Sequence, residues 1–184
     1  MRTPSEFERA YLAGSDPRAQ SGFSGSPERW RAAREGIVEA IDRDGSFLDV
    51  GCANGLLLES VIQWSPFAIE PYGIDFAPGL VELARSRLPR WADQLWVADV
   101  FSWRAPLRFD FVHARWELDA VDEIRRLGRR AIFSSDGSFR RAESPRAEPV
   151  ATLLRERGVA VAGELYRRSE EHQVELAVAW VDQD

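Results

Sequence analysis

Phe47-Leu48-Asp49-Val50-Gly51-Cys52-Ala53-Asn54-Gly55-Leu56-Leu57-Leu58 (47–58) is the stretch from which the organisation of this chain follows. Residues 47–51 are a short apolar run closed by an acid and a glycine, which reads as a buried strand. Residues 56–64 (LLLESVIQW) then set apolar side chains at helical spacing until Pro66 stops them. Between strand and helix, the small residues at 51, 53 and 55 let the backbone approach a ligand closely, with N–H groups directed at its polar end. The loop is not the dinucleotide pattern G-x-G-x-x-G. That pattern would need glycine at 53 and 56, where the chain has Ala53 and Leu56. Taken alone, the loop is also compatible with a tight strand-to-helix turn that binds nothing.

Toward the C-terminus, short apolar runs alternate with helical segments. Strands are predicted at 72–76, 95–99, 109–114 and 130–135, with helices opening at Pro78 and at Val121 between them. Such alternation implies a parallel sheet with helices on both faces. A helix from about Val150 to Arg157 is followed by two apolar runs, 159–166 and 174–181, separated only by RRSEEHQ. A connection this short makes the last two strands antiparallel, because a parallel crossover needs about a dozen residues. Toward the N-terminus, Ser26-Pro27-Glu28 is a helix start, and Trp30, Ala33, Ile37, Val38 and Ile41 give that helix one apolar face up to Asp44-Gly45. Residues 1–25 are polar and rich in Gly, Ser and Pro, and are expected to be a lid or flexible segment. The predicted fold is α/β: a single-domain doubly wound sheet over 26–184, mostly parallel, seven-stranded, ending in an antiparallel hairpin.

With 184 residues, 45% of them hydrophobic and 29% charged, the chain suits one ordinary globular domain. Its net charge of -6 and pI near 5.1 speak against a dedicated nucleic-acid binder. All 24 Lys-plus-Arg positions are arginine. The lone cysteine allows no intrachain disulfide, and His113 and His172 lie too far apart in sequence for a Cys/His metal cluster. No metal is expected. No run approaches the roughly 20 apolar residues of a membrane span, so no membrane partner and a cytoplasmic location are the default expectations.

Two further acids bear on function. Asp75 closes the second predicted strand, where a carboxylate can accept both hydroxyls of a ribose. Asp99 closes the third, placed to accept from an exocyclic amine. Each alone could be a turn cap. Three acids, Asp49, Asp75 and Asp99, at the carboxyl ends of adjacent strands make a ligand edge the stronger account.

In these motifs the chain resembles class I S-adenosylmethionine-dependent methyltransferases. DVGCANG (49–55) is similar to their first motif, usually D/E-x-G-x-G-x-G, with Ala53 in place of the middle glycine; YGIDFAP (72–78), VADVFSW (97–103) and FDFV (109–112) resemble the segments that follow. The resemblance covers about residues 30–184 and implies S-adenosylmethionine as cofactor. It puts Gly51, Cys52, Ala53 and Gly55 in the loop beside the methionine end, with Cys52 as a small buried filler. It puts Asp75 on the ribose, Phe76 on the adenine face, and Asp99 with Val100 on the adenine edge, while Asp49 orders the loop. His113, at the end of the fourth strand, falls beside the transferable methyl and is the candidate general base; its backbone carbonyl could instead meet the donor's amino group. Glu117 is the second candidate base. The residues after strand four lack the Asn/Asp-Pro-Pro-Tyr pattern of amino-group nucleic-acid methyltransferases, so the implied activity is in-line methyl transfer to O or N of a small molecule. The alternative is a catalytically inactive binding or regulatory protein of the same fold, favoured by the short segment between strands four and five. The oligomeric state is not legible.

Overall fold

The computed structural model describes residues 4–116, 120–140 and 146–183, with the backbone alone for 4–7. Glu117, the second candidate base, lies outside them. The described residues form one seven-stranded sheet: β1 (Gly45–Val50), β2 (Ile69–Asp75), β3 (Leu95–Val97), β4 (Phe109–Arg115), β5 (Gly128–Ser138), β6 (Gly163–Ser169) and β7 (Val174–Asp182). Their order across the sheet is β3-β2-β1-β4-β5-β7-β6. Pairings among β1 to β5 are parallel, whereas β7 runs antiparallel to both β5 and β6. The order reverses at β1, which lies between β2 and β4; open α/β sheets bind ligands at such a switch point, outside the carboxyl ends of the strands.

One sheet face is covered by α2 (Pro27–Ala32), a 3-10 segment Glu35–Ala40, α3 (Leu56–Trp64) and α4 (Pro78–Arg87), whose buried side chains pack on Phe47, Phe111, Ile132 and Leu176. The other face is covered by α5 (Val121–Leu127) and α6 (Val150–Glu156), packed on Leu48, Val112, Ala131 and Phe133. No helix bridges β3 and β4. Aromatic rings cover that part of the second face instead: Trp103 lies 5.5 Å from Trp96 and 6.2 Å from Phe109, and Tyr72 lies 5.0 Å from Phe109. Large rings bury much area without needing helical backbone around them.

Several predicted boundaries shift; β2 starts earlier, at Ile69, and β5 extends over Gly128–Ser138. The helix predicted from Ser26 is capped as expected, with the Ser26 hydroxyl accepting the Arg29 N–H at 3.3 Å, but it ends at Ala32 and resumes as the 3-10 segment. The break at Arg34 (φ -136°, ψ -29°) turns that side chain into the protein and lets Gly36 press on β6 and β7; a Cβ there would stand 2.7 Å from Leu165. β6 begins four residues later than the apolar run because its position at the sheet edge needs hydrogen bonds to β7 more than apolar content. β3 stops at Val97, which leaves Asp99 in the turn beyond it. None of the helices among the described residues is long and apolar enough to cross a membrane.

Candidate active site

The loop after β1 holds three left-handed residues, Gly51 (φ 79°), Ala53 (φ 46°) and Gly55 (φ 74°). Glycine carries such angles freely; Ala53 does so against a steric cost of about 1–2 kcal/mol. The N–H groups of this loop do not point at open space. Those of Gly51 and Cys52 both donate to the Ile74 carbonyl (2.8 and 3.0 Å), that of Ala53 to Asp75 Oδ2 (2.9 Å), and that of Gly55 to the Cys52 carbonyl (2.9 Å). The expectation of N–H groups directed at a ligand is therefore corrected for these four: β2 takes three and the loop itself the fourth. What stays open is the volume over Gly51, where a Cβ would meet nothing within 4 Å. Cys52 is a buried filler as expected, its thiol pushed well up by burial and by the nearby Asp49 and Asp75.

Asp75 is buried at the end of β2. Its Oδ1 accepts the Ala77 N–H and its Oδ2 the Ala53 N–H, both at 2.9 Å. Burial holds this carboxyl above its ordinary value, and Asp49 and Glu8 add to that, against the two N–H donors. Each oxygen keeps one further lone-pair direction for a ligand hydroxyl. Beside it, Phe76 (46% exposed), Val97 (47%) and Phe101 (58%) form an apolar ledge across the ends of β2 and β3. Asp99 is exposed in the following turn, where its Oδ1 accepts the Phe101 N–H at 3.0 Å, and Val100 is half-buried behind it.

A line of buried polar groups crosses the sheet from β1 to β5. His113 Nδ1 lies 2.7 Å from Asp49 Oδ1, and His113 Nε2 lies 2.8 Å from Ser134 Oγ. In the neutral ring Nδ1–H donates to the carboxylate and Nε2 accepts from the hydroxyl. With 1% of its surface exposed and both nitrogens engaged, this side chain has no nitrogen directed at a reacting atom. The position expected for a general base is filled by an internal strut.

Farther along the same face, Asp136 Oδ1 meets two guanidinium groups, Arg34 at 3.0 Å and Arg115 at 3.1 Å. Arg34 is buried; its guanidinium lies 5.3 Å from the Phe23 ring centre and 5.1 Å from that of Trp30, two rings that meet edge to face, and these cation–π contacts compensate part of its desolvation. Burial would raise the Asp136 carboxyl, but Arg34 and Arg115 outweigh it and hold the group below its usual range.

The N-terminal segment docks on this edge. In α1 (Pro4–Leu12), Glu8 accepts the N–H of Gly79 at 2.5 Å. Asn54, buried in the β1 loop, donates to the Pro17 carbonyl (2.8 Å) and lies 2.5 Å from the Ser21 hydroxyl through its Oδ1, which also accepts the Leu56 N–H. Sequence reasoning missed Asn54, Ser134, Arg34 and Asp136. For Arg34 a signal was present: it falls on the helix's apolar stripe, four residues after Trp30. Four arginines close in sequence, Arg125, Arg126, Arg129 and Arg130, each approach a carboxylate.

Strand order, reversal point and hairpin together match a known architecture. The fold is that of the class I S-adenosylmethionine-dependent methyltransferases. The N-methyltransferase NodS from Bradyrhizobium japonicum WM9, solved with S-adenosyl-L-homocysteine, superposes with a TM-score of 0.69 at 19% identity over 97% of both chains. Magnesium protoporphyrin IX methyltransferase from Synechocystis PCC 6803, with bound S-adenosylmethionine, gives 0.62 at 14% identity over 99% of both. An S-adenosylmethionine-dependent methyltransferase from Aquifex aeolicus gives 0.60 at 17% identity, over 98% of this chain and 100% of that one. No protein-family model and no curated protein matches the chain.

Proposed function

We propose that this chain is an S-adenosylmethionine-dependent methyltransferase that methylates O or N of a small molecule. The observation that carries this reading is Asp75: a buried carboxylate locked to the Ala53 N–H, beside the open volume over Gly51, at the sheet's switch point. The residues fit the cofactor. Asp75 would hold the ribose hydroxyls, Phe76 the adenine face, Asp99 with Val100 the adenine edge, and Gly51 with Ala53 and Gly55 would leave room for the methionine end, over a floor kept rigid by Cys52 and Asp49. Bound there, the cofactor's sulfonium supplies an activated methyl group.

The chain's own residues then contribute position. Asp49, His113 and Ser134 fix the end of β4 relative to the β1 loop, so the acceptor and donor sites keep one separation. Alignment of this kind is worth several kcal/mol of barrier without any proton transfer. Residues 1–25 are read as a lid, tied by Asn54 to the loop that would carry the donor, over a catalytic domain from 26 to 184. The acidic pI and the single compact sheet support a small acceptor over a nucleic acid.

A cofactor-binding protein without turnover is the second reading, favoured by the engagement of both His113 nitrogens. Calorimetry with S-adenosylhomocysteine, joined to a metabolite screen with methyl-labelled donor, separates the two. Binding with labelled product supports the enzyme; binding without product from any extract supports the second reading; absence of binding removes both.

A further inference from the structure

At the ends of β4 and β5, the described residues bring more guanidinium groups than carboxylates together. Asp136 is shared by Arg34 and Arg115. Arg34 is buried, whereas 58% of the Arg115 side chain is exposed. Arg29, also buried, reaches the same region, and its guanidinium finds neutral acceptors alone among the described residues: the carbonyls of Ser24, His172 and Gln173 and the Ser138 hydroxyl. Burial and the nearby Arg140 press its pKa down while Asp136 opposes them, which places all these charges within one field. Among the described residues, four guanidinium groups (Arg29, Arg34, Arg115 and Arg140) then stand near two carboxylates, Asp136 and Asp49. Among those residues this is a local cationic excess, in a protein of net charge -6.

Position gives this excess a use. Arg115 follows His113 by two residues on β4 and so projects from the same sheet face, about 6–7 Å farther toward the carboxyl edge. That places it at the carboxyl edge of β4, the strand beside β1 and its Gly51 loop. One face of its guanidinium group is taken by Asp136, which fixes its direction, and the rest of the fork is presented to solvent.

We propose that Arg115, oriented by Asp136 and backed by Arg34, binds a carboxylate of the methyl acceptor, so that the substrate class is small carboxylic acids. This rests on the methyltransferase reading for its meaning, though not for its measurement. The planar fork of Arg115, held in one direction by Asp136, suits a carboxylate bound in one orientation.

The test uses the full chain, with and without saturating S-adenosylhomocysteine, and matched probes: para-hydroxybenzoate against para-hydroxybenzamide, and succinate against succinamide. At least one carboxylate should bind about tenfold tighter than its amide, a preference that Arg115→Gln removes and Arg115→Lys keeps in part. S-adenosylhomocysteine affinity and the melting temperature should be unchanged in both variants, since Arg115 is half in solvent. Equal binding of acid and amide, or a carboxylate preference that survives in Arg115→Gln, overturns the inference. If S-adenosylhomocysteine fails to bind while the Arg115-dependent preference remains, the methyltransferase reading falls and the anion site stands.

Discussion

Asp49 Oδ1 and His113 Nδ1 lie 2.7 Å apart across adjacent parallel strands, and the two residues are register partners in the β1–β4 ladder. The contact joins the end of β1, just before the glycine loop, to β4 and ties the two strands together at the carboxyl edge. Ser134 completes the line on β5, so the imidazole is a strut with a partner at each end.

His113→Leu removes that strut and leaves a buried carboxylate and hydroxyl without partners. We expect a loss of about 2–4 kcal/mol in urea unfolding. His113→Gln, which keeps polar atoms in the same space, should restore much of it. Turnover at saturating donor should then fall less than about tenfold, with a flat profile across roughly pH 5.5 to 8. A folded His113→Gln protein with a much larger loss and a new pH dependence would return the residue to proton transfer.

As the proposed ribose ligand, Asp75 should make cofactor affinity depend on pH. Burial, with help from Asp49 and Glu8, lifts its carboxyl above the ordinary range despite the N–H groups of Ala77 and Ala53. A raised acid takes up a proton on folding, so its contribution to stability falls as pH rises from the unfolded value to the folded one. Ligand binding has the opposite sign, because the hydroxyl-accepting form is the ionised one. Titration calorimetry should show S-adenosylhomocysteine affinity falling as pH drops through that raised window. Asp75→Asn should flatten the dependence and weaken binding at neutral pH by about tenfold or more. A parent whose affinity is pH-independent there removes the ribose assignment.

Ala53 occupies a left-handed conformation that glycine adopts without penalty. Relief of about 1–2 kcal/mol of strain exceeds the added unfolded-state entropy of glycine, about 0.5–1 kcal/mol. Ala53→Gly should stabilise the chain by about 0.5–1 kcal/mol with cofactor affinity intact. Equal or lower stability in chemical denaturation would show that the loop holds Ala53 without strain.

Asn54 tethers residues 14–23 to the cofactor loop through Pro17 and Ser21. Asn54→Ala should speed amide exchange in that segment, with a local loss of about 1–3 kcal/mol and little change in the protection of β1 and β4. In the parent, S-adenosylhomocysteine should slow the same amides. Exchange unchanged by both the substitution and the ligand would make the segment a fixed part of the fold and not a lid.

The architecture was legible in the chain because its signals are local and repeated. The apolar runs around Phe47, Ile74 and Phe111 are short enough to be strands and are separated by helical spacing, and the closing hairpin follows from the shortness of its turn. Asp75 and the loop from Gly51 to Gly55 were found for the same reason: backbone that must turn tightly at a strand end admits few residue types. The roles of the polar side chains were not legible. His113 falls where a base would stand, yet a position along a strand does not say whether a neighbouring strand supplies Asp49 and Ser134 to occupy both nitrogens. The loop N–H groups look free in the sequence because the Ile74 carbonyl and the Asp75 carboxylate that take them lie on β2, more than 20 residues away. Arg34 looks like an error on an apolar stripe until Asp136 arrives beside it from β5. Periodicity and turn chemistry depend on neighbours in the chain, so the sequence by itself determined the sheet and its ligand edge. Which buried polar groups pair depends on partners brought together only by strand order, and the tertiary structure alone decided that.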